Sequence, residues 1–195
     1  MKAKIGIIIL AAGAGSRFAA SGGDSPKQLV SIDGVSMLQR AVNLANQLLP
    51  GAVHVVLGSE SHTIKSQLSS CDIIINRDWQ LGLGNSIAGA VKQLVASSSS
   101  YDGLLIMLGD QPRVNIEGIT EILNLFDGER AICAYYGNRD GVPALFPEAL
   151  FADLMALDGD FGAKILLQSI EDKLIVPMPE AAIDIDSVED LKQLV

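Results

Sequence analysis

Short runs of consecutive apolar residues alternate along the chain with stretches in which apolar positions recur every three or four residues. Runs such as Ile5-Gly6-Ile7-Ile8-Ile9-Leu10 suit strands covered on both faces, because neither face needs a polar row toward water. Strands are predicted over residues 5–10, 53–57, 72–75, 104–108, 131–135, 143–146 and 174–176, with a last short one at 182–185. Helical spacing covers residues 37–49, 87–95, 116–126, 147–157, 162–170 and 188–194. Ser86, Asn115 and Ser187 are residue types that cap helix starts, and Pro147 suits a first helical position. Ser187 with Asp190 resembles a capping box with Asp in the place of Glu. Alternation of strands and helices predicts an α/β fold: a single, Rossmann-like domain over residues 1–195, with a mainly parallel sheet flanked by helices. No repeat or composition shift divides it, and the serine run 97–100 is too short for a linker.

Composition narrows the function classes. With 49% hydrophobic and 19% charged residues the chain is a globular sequence and not a disordered one. A formal charge of −9 opposes nucleic acid as a partner, since that binding needs a basic patch to displace phosphate counterions. A nucleotide site in such a chain must gather local cations or a metal. Cys71 and Cys133 form no CxxC pair and read as buried, reduced thiols. His54 reads as a strand residue and His62 as an exposed helix residue, and neither has zinc-site spacing with the cysteines. Lys2 and Lys4 before the apolar run 5–14 look superficially like a secretory leader, but the run ends in a glycine-rich loop with chemical potential of its own. Nothing elsewhere approaches the ~20 apolar residues of a membrane span, so a soluble cytoplasmic protein without a membrane partner is expected.

In open parallel sheets, ligands bind beyond the carboxyl ends of the strands. The unusual residues sit there: Gly13 to Arg17 after the first strand, Asp110 after the fourth, Asp184 and Asp186 at the last. The first loop, Leu10-Ala11-Ala12-Gly13-Ala14-Gly15-Ser16-Arg17, is neither a GxGxxG fingerprint nor a Walker A loop, because Phe18, Ala19 and Ala20 stand where the diagnostic residues would be. What remains is a small-residue turn whose amides can approach phosphates. Arg17 and Lys27 follow on one loop, able to close over a triphosphate, or else are solvated charges on an ordinary βα turn. Asp110 follows an apolar strand, where a carboxylate has little structural reason to be, and it reads as the first ligand of a magnesium ion (Mg2+). Asp184 and Asp186 alternate with isoleucines, so a strand would point both to one side; one of them would complete the metal site, with Asp184 preferred and Asp186 also suited to a helix cap.

Leu-Ala-Ala-Gly-x-Gly-x-Arg followed by Lys27 resembles the signature of the sugar-phosphate and cofactor nucleotidyltransferases, and in particular of the molybdenum cofactor cytidylyltransferases. Five further blocks share the resemblance in order: Asp78-Trp79-x-x-Gly82-x-Gly84-Asn85-Ser86, Leu108-Gly109-Asp110-Gln111-Pro112, Gly141-Val142-Pro143-x-x-Phe146, Gly159-Asp160-Phe161-Gly162-Ala163-Lys164, and Asp184-Ile185-Asp186-x-x-Glu189-Asp190-Leu191. The resemblance implies transfer of CMP from CTP to a phosphorylated acceptor such as molybdopterin, with a molybdenum hydroxylase apoenzyme as a possible downstream partner. It places Gly82, Gly84, Asn85 and Ser86 at the nucleobase and ribose, and Asp160 and Lys164 on the acceptor side. Trp79 either stacks on a ligand or packs beneath the loop. Ala12 stands where related guanylyltransferases carry glycine, and its methyl favours a pyrimidine.

The chain departs from the family pattern in three places. Pro26-Lys27-Gln28 follows a longer loop and is more similar to the isoprenoid-pathway cytidylyltransferases, Val142 replaces a polar residue, and Lys164 replaces arginine. A sugar or polyol phosphate acceptor, and a non-catalytic nucleotide-binding accessory protein for molybdenum enzyme maturation, are therefore the alternatives.

Overall fold

A computed structural model describes residues 3–97 and 100–194. Its first strand, β1 (Ile5–Leu10), is buried along its whole length. Ile5, Ile7 and Ile9 enter one core, and Ile8 and Leu10 enter another on the opposite face. That period of two explains the uninterrupted apolar run: both faces are interior.

In chain order α1 (Ser16–Ala20), β2 (Ser31–Ile32), β3 (Val35–Ser36), α2 (Met37–Leu48), β4 (Val53–Leu57), α3 (Ser61–Lys65) and β5 (Asp72–Ile75) follow. Next come α4 (Leu83–Ala96), β6 (Gly103–Leu108), α5 (Ile116–Asn124), β7 (Ile132–Tyr136), β8 (Arg139–Pro147), α6 (Phe151–Met155), α7 (Lys164–Ser169) and β9 (Leu174–Pro177). The main sheet runs β5-β4-β1-β6-β8-β7-β9. β8 alone is antiparallel to its neighbours β6 and β7; the other pairings are parallel. Side chains of α2, α3 and α5 fill one core, and those of α4, α6 and α7 fill the other. The expected α/β fold is therefore present as one domain with a mainly parallel sheet between helices. No helix among the described residues is long and apolar enough to cross a membrane.

Several predicted boundaries change, each for a physical reason. α4 starts at Leu83, so Ser86 lies inside its first turn and is not the cap; its hydroxyl donates to the Gly82 carbonyl (3.3 Å) and accepts from Asn76 Nδ2 (2.9 Å). Pro147 closes β8 instead of opening a helix, and the following stretch divides into a 3-10 turn, Glu148–Leu150, and α6. Residues 182–185 form no strand. Pro177 and Pro179 interrupt the backbone before them, and the chain touches the sheet end through the Ile185 amide, which donates to the Asp110 carbonyl at 3.0 Å. Over 188–194 the observed element is a 3-10 turn, Glu189–Leu194, and the Asp190 carboxylate accepts from the amides of Asp186 and Ser187 and from the Ser187 hydroxyl. The Asn115 cap is present, accepting from the Gly118 amide at 2.9 Å. Both cysteines are free thiols, but Cys71 is only half-buried whereas Cys133 is fully buried. His54 is buried in β4 with Nε2 2.9 Å from the Tyr101 hydroxyl, and burial holds its pKa below the ordinary value against the pull of Asp72. His62 is exposed on α3.

Candidate active site

The loop after β1 is tied down on both sides. The Ala11 amide donates to the Val56 carbonyl and the Gly109 amide to the Leu10 carbonyl, each at 3.0 Å, while the Ser59 amide donates to Ala12 at the same distance. Gly15 turns the chain into α1 with φ of 63°, a conformation that disfavours residues with a Cβ. Gln28, which the sequence reading did not single out as a site residue, is buried and donates its Nε2 to the carbonyls of Ala11 (3.0 Å) and Gly13 (2.8 Å). Those two bonds clamp the Lys27–Leu29 turn against the loop and so aim the neighbouring Lys27.

Lys27 Nζ lies 2.7 Å from Asp110 Oδ2 and 3.2 Å from Asp186 Oδ1, and Arg17 Nη1 lies 2.8 Å from Asp186 Oδ2. Burial alone would lower the Lys27 pKa, but the charges of Asp110 and Asp186 and their hydrogen bonds outweigh it and raise the pKa above its ordinary value. The lysine side chain is 12% exposed and Arg17 is 78% exposed, so one cation is fixed and the other reaches into solvent. Asp184 is a different case. Burial first, and then the charge of Asp110, push its carboxyl up to about 6. Its Oδ1 and that of Asp110 are buried without a hydrogen-bond partner.

Asp184 and Asp186 do not share a face, because residues 183–186 are not a strand. Asp186 looks into the cleft beside Arg17; Asp184 borders a second pocket with Tyr136 and Lys164. Among the described residues no group of three or more His, Cys, Asp or Glu is arranged to hold a metal ion. Asp110 and Asp186 converge on one ammonium and Asp110 keeps a buried oxygen without a partner, a donor set that fits a hard divalent cation, which commonly takes one or two carboxylates, waters and substrate phosphates.

The main cleft, about 490 Å³, brings together most of the residues read as nucleotide-binding: Leu10, Ala11, Ala12, Gly13, Gly15, Arg17, Lys27, Gly82, Ser86 and Asp110. Gly84 and Asn85 do not line it. A Cβ on Gly82 would lie 2.3 Å from the Gly159 carbonyl oxygen, and one on Gly84 would lie 2.4 Å from that of Asp158. These glycines thus let the loop around Asp160 dock on the start of α4, where the Gly84 amide donates to Gly159 at 2.8 Å. Asn85 Oδ1 meets Asn76 Nδ2 at 3.4 Å. Trp79 packs beneath the loop, half-buried against Gly58, whose missing Cβ would fall 2.5 Å from the Trp79 Cγ, and it also lines the cleft.

A smaller pocket of about 190 Å³ adjoins the cleft through Leu10, Leu83 and Leu108. It holds Lys164 and Asp184, whereas Asp160 faces the main cleft, so the two residues expected together on the acceptor side stand in different lobes. It also holds Tyr136 and Arg139, which the sequence reading missed. The Tyr136 hydroxyl donates to the Val142 carbonyl (3.0 Å) and accepts from Gln111 Nε2 (3.3 Å), and Gln111 also donates to the Ala181 carbonyl (2.7 Å). The arrangement offers two cations, Arg17 and Lys27, in one lobe and in the next a partly apolar recess in which Arg139 and Lys164 stand with Asp140 and Asp184.

Comparison with known proteins gives three kinds of likeness. Residues 7–174 match the MobA-like NTP transferase domain. The bifunctional protein GlmU of Pseudomonas savastanoi pv. phaseolicola is 35% identical over 125 residues, which are 64% of this chain and 26% of that protein. The chain thus spans about a quarter of the length of the curated relatives it matches. Rv0371c from Mycobacterium tuberculosis H37Rv has a similar structure, with a TM-score of 0.81 at 23% identity, covering 100% of this chain and 98% of that one. Its complex with manganese gives a TM-score of 0.76 at 24% identity, covering 98% and 97%.

Proposed function

Since the chain belongs to the MobA-like NTP transferase domain family, we propose that this nucleotidyltransferase is a cytoplasmic enzyme that moves CMP from CTP to a phosphorylated acceptor, molybdopterin, and releases pyrophosphate. The observation that carries the reading is the Lys27–Asp110–Asp186 constellation at the ends of β1 and β6, inside a cleft floored by loop amides. A negative protein has concentrated a fixed ammonium and a mobile guanidinium at one place, as binding a triphosphate requires. A pure binding protein has no need of Arg17, Lys27 and Asp110 together.

In this mechanism the loop amides from Ala12 to Gly15 and the Arg17 guanidinium hold the triphosphate. Lys27 stabilises negative charge that grows on the α-phosphoryl group as an acceptor phosphate oxygen bonds to phosphorus and the bond to pyrophosphate breaks. Asp110 with Asp186 would hold Mg2+; the shared ammonium bridge supports that pairing, while Asp184 stands behind Asp110 toward the acceptor lobe. The ion would supply charge neutralisation between two anionic reactants. That the similar protein Rv0371c forms a complex with manganese supports dependence on a divalent cation. Arg139 and Lys164 offer the acceptor its cationic contacts, and a molybdenum hydroxylase apoenzyme would receive the product.

Preference for CTP rests on Ala12, which is 6% exposed at the cleft wall and leaves less room than a glycine. One methyl group is worth about 1–3 kcal/mol of discrimination, so preference is expected and not exclusion. The segment Pro26-Lys27-Gln28 favours a second reading, transfer to a polyol phosphate. Pyrophosphate release across four nucleotides, with molybdopterin and with polyol phosphates, separates these readings. Release with CTP and molybdopterin, lost in a folded Asp110→Asn variant, is the expected result. GTP used as well as CTP removes the cytidylyl assignment, and turnover by Asp110→Asn at near-normal rate removes the catalytic one.

A further inference from the structure

Lys27 is more firmly held than a phosphate-binding lysine needs to be. Its turn is clamped by the two Gln28 bonds, its Cβ lies 3.1 Å from where a Cβ on Gly15 would sit, and its ammonium is shared between carboxylates from distant parts of the chain. An ammonium is a compact point charge with three donors on a flexible four-carbon stem. Here it carries one charge against two carboxylates, and the buried Asp110 Oδ1 is left without a partner. A magnesium ion needs oxygens at about 2.0–2.1 Å in near-octahedral array. An ion that took Asp110 Oδ2 and Asp186 Oδ1 together would have to compete for their lone pairs with an ammonium 2.7 Å and 3.2 Å from those same atoms, and would be repelled by its charge.

We propose that Lys27 is a placeholder cation: in the nucleotide-free chain its ammonium closes the Asp110–Asp186 pair to divalent metal, and the phosphates of an incoming nucleotide draw it off and open the pair. The inference rests on the nucleotidyltransferase reading of the same site. The Gln28 bonds hold the backbone of the turn while the ammonium is held only by the two carboxylates, so the exchange calls for rotation of the lysine stem and no loop rearrangement. Arg17, 78% exposed and bound to Asp186, is a second, looser tether that the same phosphates would recruit. The consequence is order: the empty site rejects stray divalent ions, and metal and nucleotide enter together.

Manganese titration of the full chain without nucleotide, followed by the electron paramagnetic resonance of the free ion, tests this directly. Lys27→Met keeps the stem and removes the charge, and is expected to bind manganese roughly tenfold tighter than the unaltered chain, or more, because two carboxylates are freed from a close cation. Adding Asp110→Asn to Lys27→Met is expected to abolish the gain. Lys27→Gln serves the same measurement if the methionine variant does not fold. Equal manganese affinity in the unaltered chain and the Lys27 variants overturns the placeholder while leaving nucleotidyl transfer standing. Failure of every form to retain manganese even with CTP present overturns the metal-dependent reading itself, and the placeholder with it.

Discussion

Replacing Asp184 with asparagine keeps the shape of the side chain and removes a charge that the fold holds at a cost. Its carboxyl is pushed from 3.8 up to about 6, by burial first and by the neighbouring charge of Asp110 second. A raised carboxyl pKa means that the folded chain binds its proton more tightly than the unfolded chain. The ionised form is therefore penalised fully above pH 6; the penalty fades as pH falls toward 3.8 and is absent below it. At full weight the shift amounts to about 3 kcal/mol. The carboxyl is only partly buried, so screening by water reduces this to about 1–2 kcal/mol. Asparagine retains an oxygen to accept from Gln111, so the substitution adds no lost hydrogen bond. Asp184→Asn in a chelator is thus expected to raise the urea midpoint by about 0.5–1 M near pH 8. The gain should fall to roughly half near pH 5. An unchanged midpoint at the higher pH, or an equal gain at both, would refute the reasoning. The confirmed result would also identify a carboxylate kept against stability, which is the mark of a group kept for function.

Lys27→Ala is expected to lower kcat more than it weakens nucleotide binding, because the ammonium acts on charge that develops in the transition state; steady-state kinetics that change only KM would assign Lys27 to uniform binding and leave the catalytic charge to Arg17. Gly82→Ala forces a Cβ to within 2.3 Å of the Gly159 carbonyl oxygen at a φ of 108° and is expected to destabilise the chain. The cost should be about 1–3 kcal/mol, read from urea midpoints, with nucleotide KM rising because the loop that carries Asp160 to the main cleft loses its seat.

The parallel half of the sheet was legible because its strands are runs of apolar residues, unbroken in β1, interrupted only by His54 in β4, and preceded by an exposed Asp72 in the edge strand β5. β1, β4 and β5 fall where the apolar runs lie. Elements of two to five residues, such as α1, α3 and the β2–β3 hairpin, leave too short a period to detect. Residues 182–185 failed for the opposite reason: Ala-Ile-Asp-Ile alternates as a half-buried strand should, yet no strand of the sheet pairs with it, because Pro177 and Pro179 turn the chain away after β9. Pattern records which side of a segment is wet; it does not record whether a neighbour is available.

The same distinction divides the site. Lys27 and Asp110 were legible because a charge beside an apolar strand end is costly unless something pairs with it, and each turns out to be the other's partner at 2.7 Å. Gln28, Tyr136 and Arg139 carry no such local anomaly; a glutamine in a loop and a tyrosine in a strand are ordinary until the fold brings Ala11, Gln111 and Lys164 to them. Gly82 and Gly84, which the resemblance places at the nucleobase and ribose, carry a second duty that the sequence does not display: they are the floor on which the 158–162 loop sits, with the Gly84 amide used by the Gly159 carbonyl. What remains for the nucleotide on that wall is the outer side of Gly82, Leu83, Ser86 and Trp79. That wall therefore presents shape and apolar surface more than charge. The selective electrostatics of the cleft lie across from it, on Arg17, Lys27, Asp110 and Asp186.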